Sequence, residues 1–384
     1  MSYSILRNVK FAIERETTQG DAVVPQDGNS FIQLLQEGAE MSPSRESLER
    51  ELLGLGLSTV KPRVGLKSLE GNVSVEMKAG ATEGAEPEFG LLMESLLGSK
   101  RSVVAHTSGT DHTTSIIYML NDDEEDYEVG DVVVVKEEGA YHTSPIKAVN
   151  AGNIELELAA ETAFSNGVVV AALVTYVPEN TGHPSFSAYR YVEDERRMEG
   201  TGCVATSLSL DSFETGQTAS FSLGFEGLDY NEELVATPPA AIYDSSLPPI
   251  ILDACIWQDG VKISVNTFSL SIENTLGFIQ DTCQGKIASR VTARSITGSI
   301  NPYKESDDIS NFNKFNANES FSLFVTAHNA TDDGEYKEVV SFYLPQVTIT
   351  EMGEAEQDGV LQEELSFTAT VEDQSDKEIY ISFS

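Results

Sequence analysis

The sequence predicts a mainly β protein with two tandem β-sandwich or β-barrel domains, each with one short helix, and a small β-barrel inserted into the first. Apolar and polar residues alternate along most of the chain, Gly and Asn turns separate the alternating runs, and three segments recur in the same order in both halves. A duplicated β unit is typical of parts used in rings or arrays rather than of solitary enzymes.

The internal repeat consists of three pairs of similar segments. The starts of the first two segments are 57 residues apart in the first half and 27 in the second. The difference predicts an extra excursion in the first half, near residues 31–60. The paired segments are 11–20 with 268–277, 68–73 with 295–300, and 219–226 with 365–372.

The alternating runs predict strands that bury one face and expose the other. Ser and Thr dominate the exposed positions, so this face is expected to be polar. The clearest runs are 8–16, 72–77, 202–210, 262–272 and 365–371.

Each half also contains one helical pattern. In the run 86–98 apolar residues recur every three or four positions, and a glycine ends the pattern. In the run 306–317, Ile309, Phe312 and Phe315 fall on one face of the predicted helix.

The predicted domain organisation is discontinuous. Residues 103–177 hold closely spaced strands with Gly and Asn turns, which predict a small closed barrel inserted at a surface loop. Two Pro-Pro pairs between 236 and 250 indicate a stiff linker. The predicted units are 1–102 with 178–235 as the first domain, 103–177 as the insert, 236–250 as the linker and 251–384 as the second domain.

The composition excludes several classes of protein. The chain has 384 residues, with 24 Lys and Arg against 62 Asp and Glu, and a net charge of −38. So acidic a surface repels phosphates and argues against sequence-specific DNA binding. The three cysteines show no CxxC spacing, and neither a signal-peptide core nor a membrane-spanning run is evident. We therefore expect assembly in a reducing cytoplasm and no membrane partner.

No constellation of catalytic or ligating residues stands out. The segment 106–112 gathers His, Ser and Asp in one polar loop, but a triad is defined by geometry. The acidic run 121–126 lacks the glycine and the spaced ligands of a calcium loop, so we interpret it as a solvated charge run. No catalytic, cofactor-binding or metal site is expected, and no enzyme activity.

The order of these motifs resembles that of phage tail tube proteins from long, non-contractile, siphovirus-type tails. The resemblance covers nearly the whole chain apart from the insert, and its specificity comes from the order of the segments. It is carried by residues 9–14, 69–76, 89–98, 204–210, 219–224, 268–272, 295–300, 312–315 and 341–347.

The resemblance implies tail-tube-type domains whose strands join across subunits into one barrel. It implies a virion protein, assembled in the host cytoplasm, that forms stacked rings around a negatively charged channel for DNA ejection. Its partners would be further copies of the chain and the tape-measure, tail-tip and tail-terminator proteins, with DNA passing only transiently. Two repeats per chain favour a trimeric ring with pseudo-sixfold symmetry, and a hexamer remains the alternative.

The excursion 31–60 is the predicted contact between stacked rings, because an apolar loop of this length usually contacts a partner. Its residues 42–54 are compatible with a short helix holding a Glu46–Arg50 pair. The alternative is that its leucines cover their own sheet. The candidate contact residues are the apolar anchors Leu34, Leu35, Leu52 and Leu53, with Arg45 and Arg50 facing the acids of the next ring.

A second class of function stays open at this point. Tandem acidic β domains also fit an adhesin or a carbohydrate-binding protein on a cell or virion surface. Such a protein would be expected to show a secretion signal or an exposed aromatic platform. The chain has neither a signal pattern nor more than one tryptophan.

Overall fold

A computed structural model describes residues 8–36, 38–50, 61–137, 140–193, 196–211, 213–234, 238–251, 254–304, 309–330, 336–357, 359–371 and 377–384. Within these residues the protein is mainly β, with two short α-helices and antiparallel strands in one 18-stranded and one 6-stranded sheet. The prediction of a mainly β fold is confirmed.

The elements of the first half include a long insertion, β5 to β12. They are β1 (Val9–Arg15), β2 (Phe31–Ile32), β3 (Ala39–Leu48), β4 (Arg63–Glu76), α1 (Gly90–Leu97), β5 (Gly98–Val103), β6 (His106–Thr107), β7 (Ile116–Tyr118), β8 (Val132–Glu137), β9 (Ala140–Asn150), β10 (Asn153–Leu156), β11 (Val169–Val170), β12 (Leu173–Pro178), β13 (Phe186–Val192), β14 (Arg196–Asp211), β15 (Ser220–Gly227) and β16 (Asp229–Leu234).

The second half is shorter. Its elements are β17 (Ala254–Gln258), β18 (Val261–Ile263), β19 (Val265–Asp281), β20 (Gly285–Pro302), α2 (Ser310–Ala317), β21 (Phe321–Ala330), β22 (Tyr336–Gln357), β23 (Val360–Ala369) and β24 (Tyr380–Phe383).

Strand pairing shows that both halves are built on the same plan. The strands of the first copy, β1–β4 and β13–β16, pair with one another as β17–β20 and β21–β24 do in the second copy. Helix α1 follows β4 as α2 follows β20. Even the irregularities recur: β14 has a bulge at Thr206 and β22 has one at Thr350. Each helix ends in a residue of left-handed conformation, Gly98 or Asn318. These counterparts define which positions of the two copies are equivalent.

The structure corrects the first of the three sequence pairings. β1, which contains Phe11, pairs with β2 and β13, so its counterpart is β17 and not β19. The counterpart of β19 is β3, because Ala39 lies opposite Val73 as Phe268 lies opposite Ile300. These partners are 34 positions apart in the first copy and 32 in the second. The predicted thirty-residue excursion is therefore wrong.

The third pairing joins the right strands, β15 and β23, with a shift of four residues. Phe225 lies opposite Gly71 as Phe367 lies opposite Gly298. Phe225 and Phe367 are therefore the equivalent residues, and each packs its ring over a glycine of the neighbouring strand.

The predicted helix within 42–54 is wrong wherever the structure describes it, because Ala39–Leu48 form β3. β3 pairs with β4 from Ala39 to Leu48 and buries Ala39 and Met41. The pairing of this segment with β4 overrides its helix-compatible pattern, as tertiary context commonly does. Leu52 and Leu53 lie outside the described residues.

The insertion occupies the place where the second copy has only residues 318–320 between α2 and β21. β5 and β12 pair with each other, and β12 also pairs with the C-terminal strand β24. The remaining strands form a sheet in the order β6-β11-β8-β9-β10-β7 around an apolar core of its own. A backbone hydrogen bond of 2.7 Å from Gly109 to Tyr118 connects its two ends. The insert thus begins in one repeat and is attached to the other.

One apolar core runs through both copies, with Phe221 and Leu223 from the first and Phe342 and Phe367 from the second. The proline-rich segment 238–251 lies across the first copy. Ile242 N–H donates to the carbonyl of Gly28 at 3.0 Å there.

Candidate assembly interface

The two copies are joined edge to edge within the chain by β14 and β19. Ser207 lies opposite Glu273, and the ladder continues to Leu210 opposite Leu270. Because β14 also pairs with β15, the sheet continues from the first copy into the second without a break. This internal junction shows how one repeat binds the next.

Helix α1 covers the internal junction and contacts the second copy. Asn274 Nδ2 donates to the carbonyl of Leu96 at 2.7 Å, and Arg294 Nη2 donates to that of Leu97 at 3.3 Å. The last carbonyls of a helix need such donors, and a cation is favoured at this end by the helix dipole.

The outer edges of the two copies carry the counterparts of the joined strands. Among the described residues, β3 pairs only with β4, and β22 beyond Val347 pairs only with β23. β3 corresponds to β19, and β22 corresponds to β14. An unpaired strand edge is a template for another strand, and here the two free edges match the two strands of the internal junction.

One face of the sheet is polar. The facing residues of seven neighbouring strands form a continuous row of hydroxyl groups, while alternate residues such as Leu210 and Leu270 point into the core. The row consists of Ser74, Ser222, Ser209, Ser271, Thr297, Thr368 and Thr348.

Carboxylates border this row on the same face. Glu70 lies directly opposite Glu226 on the neighbouring strand. Burial raises the pKa of Glu226, and the charge of Glu70 raises it further. Asp211 and Glu273 share this face with the hydroxyl row. The face therefore combines neutral hydroxyls with negative charge.

The predicted contact residues have different surroundings. Leu34 is half-buried against the main core, which fits the alternative that it covers its own sheet, and Leu35 is also half-buried. Arg45 and Arg50 are exposed, and Arg45 Nε donates to the hydroxyl of Tyr230 at 2.9 Å. Arg50 lies in the β3–β4 hairpin, just beyond the end of β3, whereas Leu34 precedes the start of β3. The length of β3 separates the two residues.

The loop that gathers His, Ser and Asp does not form a catalytic triad. The backbone N–H of Tyr118 donates to His112 Nδ1 at 3.1 Å, so Nε2 carries the proton of the neutral ring and donates to Ser108 Oγ at 3.0 Å. Burial lowers the pKa of His112 and favours this neutral form. The ring then has no lone pair available to accept the proton of Ser108.

The acidic run 121–126 is only partly solvated. Glu124 is buried, and its Oε1 accepts a hydrogen bond of 2.6 Å from the backbone of Gly152. Within the described residues no group of three His, Cys, Asp or Glu is arranged to hold a metal ion. Nor does this part of the chain contain a helix long and apolar enough to cross a membrane.

A duplicated β fold with matching free edges is typical of structural subunits that associate through their sheets. The family model for phage tail tube proteins matches residues 7–369, so the chain belongs to that family. The resemblance seen in the order of motifs is confirmed, and the family makes the chain a structural component of a virion tail. A search of curated proteins found none that matches it.

Proposed function

We propose that three copies of the chain close into a ring, and that stacked rings form the tail tube through which DNA is ejected. The observation that carries this proposal is the match between the internal β14–β19 junction and the free edges of β22 and β3. If β22 of one chain pairs with β3 of the next, all junctions of the ring are alike. Three duplicated chains then give the pseudo-sixfold ring.

The internal junction also gives the register between chains. Ser209 lies opposite Ser271, and their counterparts at the free edges are Gly353 and Ser42. Ser42 of one chain is therefore expected opposite Gly353 of the next, with β-carbon positions about 5 Å apart. Pro43 has no N–H to donate, so it limits indiscriminate pairing of this edge.

In this proposal the hydroxyl face lines the channel, since its reverse side packs into the core. Duplex DNA carries one negative charge per about 1.7 Å of axis. The row itself consists of hydroxyls, and Lys286 at its border is held by Ser68 Oγ and lies beside the carboxylate of Glu226, so this wall offers little positive charge to the DNA phosphates. Screening at physiological salt limits the repulsion to about 8 Å from the wall, so the duplex would be kept from sticking without being excluded.

Contacts between stacked rings are assigned to the β3–β4 hairpin, with Arg50 as the described residue best placed for them. Arg50 is exposed, so Arg50→Glu should leave rings intact and weaken stacking. The equivalent hairpin of the second copy instead rests on the first copy, where Lys286 Nζ donates to Ser68 Oγ at 2.6 Å. Loss of the rings themselves would therefore assign Arg50 to contacts within a ring.

The first test is negative-stain electron microscopy of the purified protein, concentrated at moderate salt. Hollow rods or stacked rings with threefold or pseudo-sixfold end views are expected. The tape-measure protein would occupy the channel, and the tail-tip and tail-terminator proteins would bind the two ends.

A crosslink tests the proposed register directly. Ser42→Cys and Gly353→Cys are combined in a background with Cys255→Ser and Cys283→Ser, which leaves only the buried Cys203. The space around Gly353 admits a side chain, because the nearest atom to an added β-carbon is 3.6 Å away. Mild oxidation of assembled protein should give covalent trimers.

The matched control replaces Gly353→Cys by Gln357→Cys, four residues further along the same strand. At about 3.3 Å per residue this moves the thiol out of reach. Equal crosslinking of both pairs, or of neither in well-formed tubes, would contradict the β22–β3 register.

A further inference from the structure

Helix α2 has its apolar side turned outwards. The side chain of Asn311 attaches this helix to the strands of its own copy. Its Oδ1 accepts a hydrogen bond from Gln258 Nε2 at 2.9 Å, and its Nδ2 donates one to Glu363 Oε2 at 2.7 Å. The apolar residues of α2 remain in solvent, which is costly for a soluble surface when several lie together. The exposed fractions are 63% for Ile309, 53% for Phe312 and 39% for Phe315.

The equivalent side of α1 is covered. Phe89 and Leu92, the counterparts of Ile309 and Phe312, are 1% and 0% exposed. The ring of Phe89 lies 5.8 Å from the ring of Phe383 in β24. Part of what covers α1 therefore comes from the second copy, which is the neighbour that α1 meets across the internal junction.

The surface that meets α1 has an exposed counterpart in the first copy. β16 corresponds to β24, and Leu234 occupies the position of Phe383. Leu234 is 85% exposed, whereas Phe383 is fully buried. The contrast has a simple cause in the part of the chain that the structure describes: α1 begins against Phe383, and no helix covers Leu234.

The donors to the end of α1 also recur in the first copy. Arg45 and Lys67 are the counterparts of Asn274 and Arg294, and both lie beside Tyr230 of β16. The exposed Leu234 lies at one end of β16, and the two cations lie beside Tyr230 four residues away, about 13 Å along the strand. A helix of eight residues spans about 12 Å, so an apolar helix that starts at Leu234 would end at the two cations, which suit its last carbonyls. We call Arg45, Lys67, Tyr230 and Leu234 the β16 patch.

We infer that α2 of one chain docks on the β16 patch of the next chain in the ring. The direction agrees with the strand junction, because β22 and α2 belong to the same copy while β3 and β16 belong to the copy it would meet. Ile309 then packs on Leu234 as Phe89 packs on Phe383, and Arg45 and Lys67 face the last carbonyls of α2. The contact rests on the proposed ring and adds a second, apolar interface to it.

The contact is tested by joining Ile309→Cys to Leu234→Cys with a short bismaleimide, in the background that lacks Cys255 and Cys283. Assembled protein should give covalent dimers and trimers, and dilute unassembled protein should give none. The control pairs Ile309→Cys with Val104→Cys, which is 66% exposed in the insertion. Tubes in which both pairs crosslink equally, or in which Ile309 and Leu234 do not crosslink, would overturn the inference.

A substitution provides an independent measurement. Leu234→Asp should raise the protein concentration needed for assembly by about tenfold or more, the effect of roughly 1.4 kcal/mol per contact. Val104→Asp should leave it unchanged, and both variants should keep the melting temperature of the unassembled protein. An unchanged threshold for Leu234→Asp would count against the docking. Failure of the unsubstituted protein to form any ring or tube would instead contradict the proposed function.

Discussion

Gly71 and Gly298 show how one residue type fixes a repeated detail of the sheet. An added β-carbon at Gly71 would lie 2.1 Å from the ring of Phe225, and one at Gly298 would lie 2.5 Å from that of Phe367. In both copies the phenylalanine covers a strand position that has no side chain. This pairing, more than general similarity, identifies the equivalent residues of β15 and β23.

Gly71→Ala is therefore expected to lower the free energy of unfolding by about 1–3 kcal/mol, because overpacking forces the ring or the strand to move. The measurement is urea unfolding of the unassembled protein. Gly353→Ala is the matched control, since its added carbon would meet nothing closer than 3.6 Å. Equal stability of the two variants would mean that the ring of Phe225 yields freely.

The surroundings of Glu226 predict how the stability of the protein depends on pH. Burial and the facing Glu70 raise the pKa of Glu226, so the folded state binds a proton more readily than the unfolded chain. The stabilisation that this raised pKa of Glu226 provides is fully present below the ordinary pKa of glutamate, about 4.3. It is lost as the pH rises through the raised pKa of the folded state. Glu226→Gln should flatten the fall of the melting temperature over this window. If Glu226→Gln leaves the slope of melting temperature against pH unchanged, other carboxylates cause the pH dependence.

Among the elements, alternation in the sequence was enough to find the core strands but not the edge. β19 shows its pattern through Phe268, Leu270 and Ile272, whereas its counterpart β3 buries only Ala39 and Met41. An edge strand buries fewer side chains, so the apolar pattern of β1 is more similar to that of β19 than the pattern of β3 is. The sequence comparison therefore aligned β1 with β19 in place of β3. The free edges and the β16 patch depend on strand pairing and could not be predicted from the sequence.

The two copies provide a matched pair of substitutions in β24 and β16. Phe383→Ala should lower the stability of the unassembled protein by about 3–5 kcal/mol, because it leaves a cavity beneath α1. Leu234→Ala, at the equivalent exposed position, should change it by less than about 0.5 kcal/mol. Thermal unfolding measures both. Similar losses would mean that Leu234 is already packed within the single chain.

At the scale of the whole molecule, charge opposes assembly while the sheet edges and apolar patches favour it. Each chain carries a net charge of −38, so bringing chains into a ring and stacking the rings costs electrostatic free energy. Salt screens this repulsion, and the screening length falls from about 30 Å at 0.01 M to about 8 Å at 0.15 M. The concentration needed for tubes to form should therefore fall as salt rises.

Two salts separate screening from apolar burial in this experiment. Sulfate strengthens apolar burial beyond its ionic strength, whereas chloride does so far less. If repulsion between acidic chains sets the threshold, sodium chloride and sodium sulfate at equal ionic strength should lower it equally in a pelleting assay. A larger effect of sulfate would show that apolar contacts such as Ile309 with Leu234 control assembly. A threshold that rises steadily with either salt would mean that ion pairs at the interfaces outweigh the repulsion, and Arg45, Arg50 and Lys67 would be the residues to replace next.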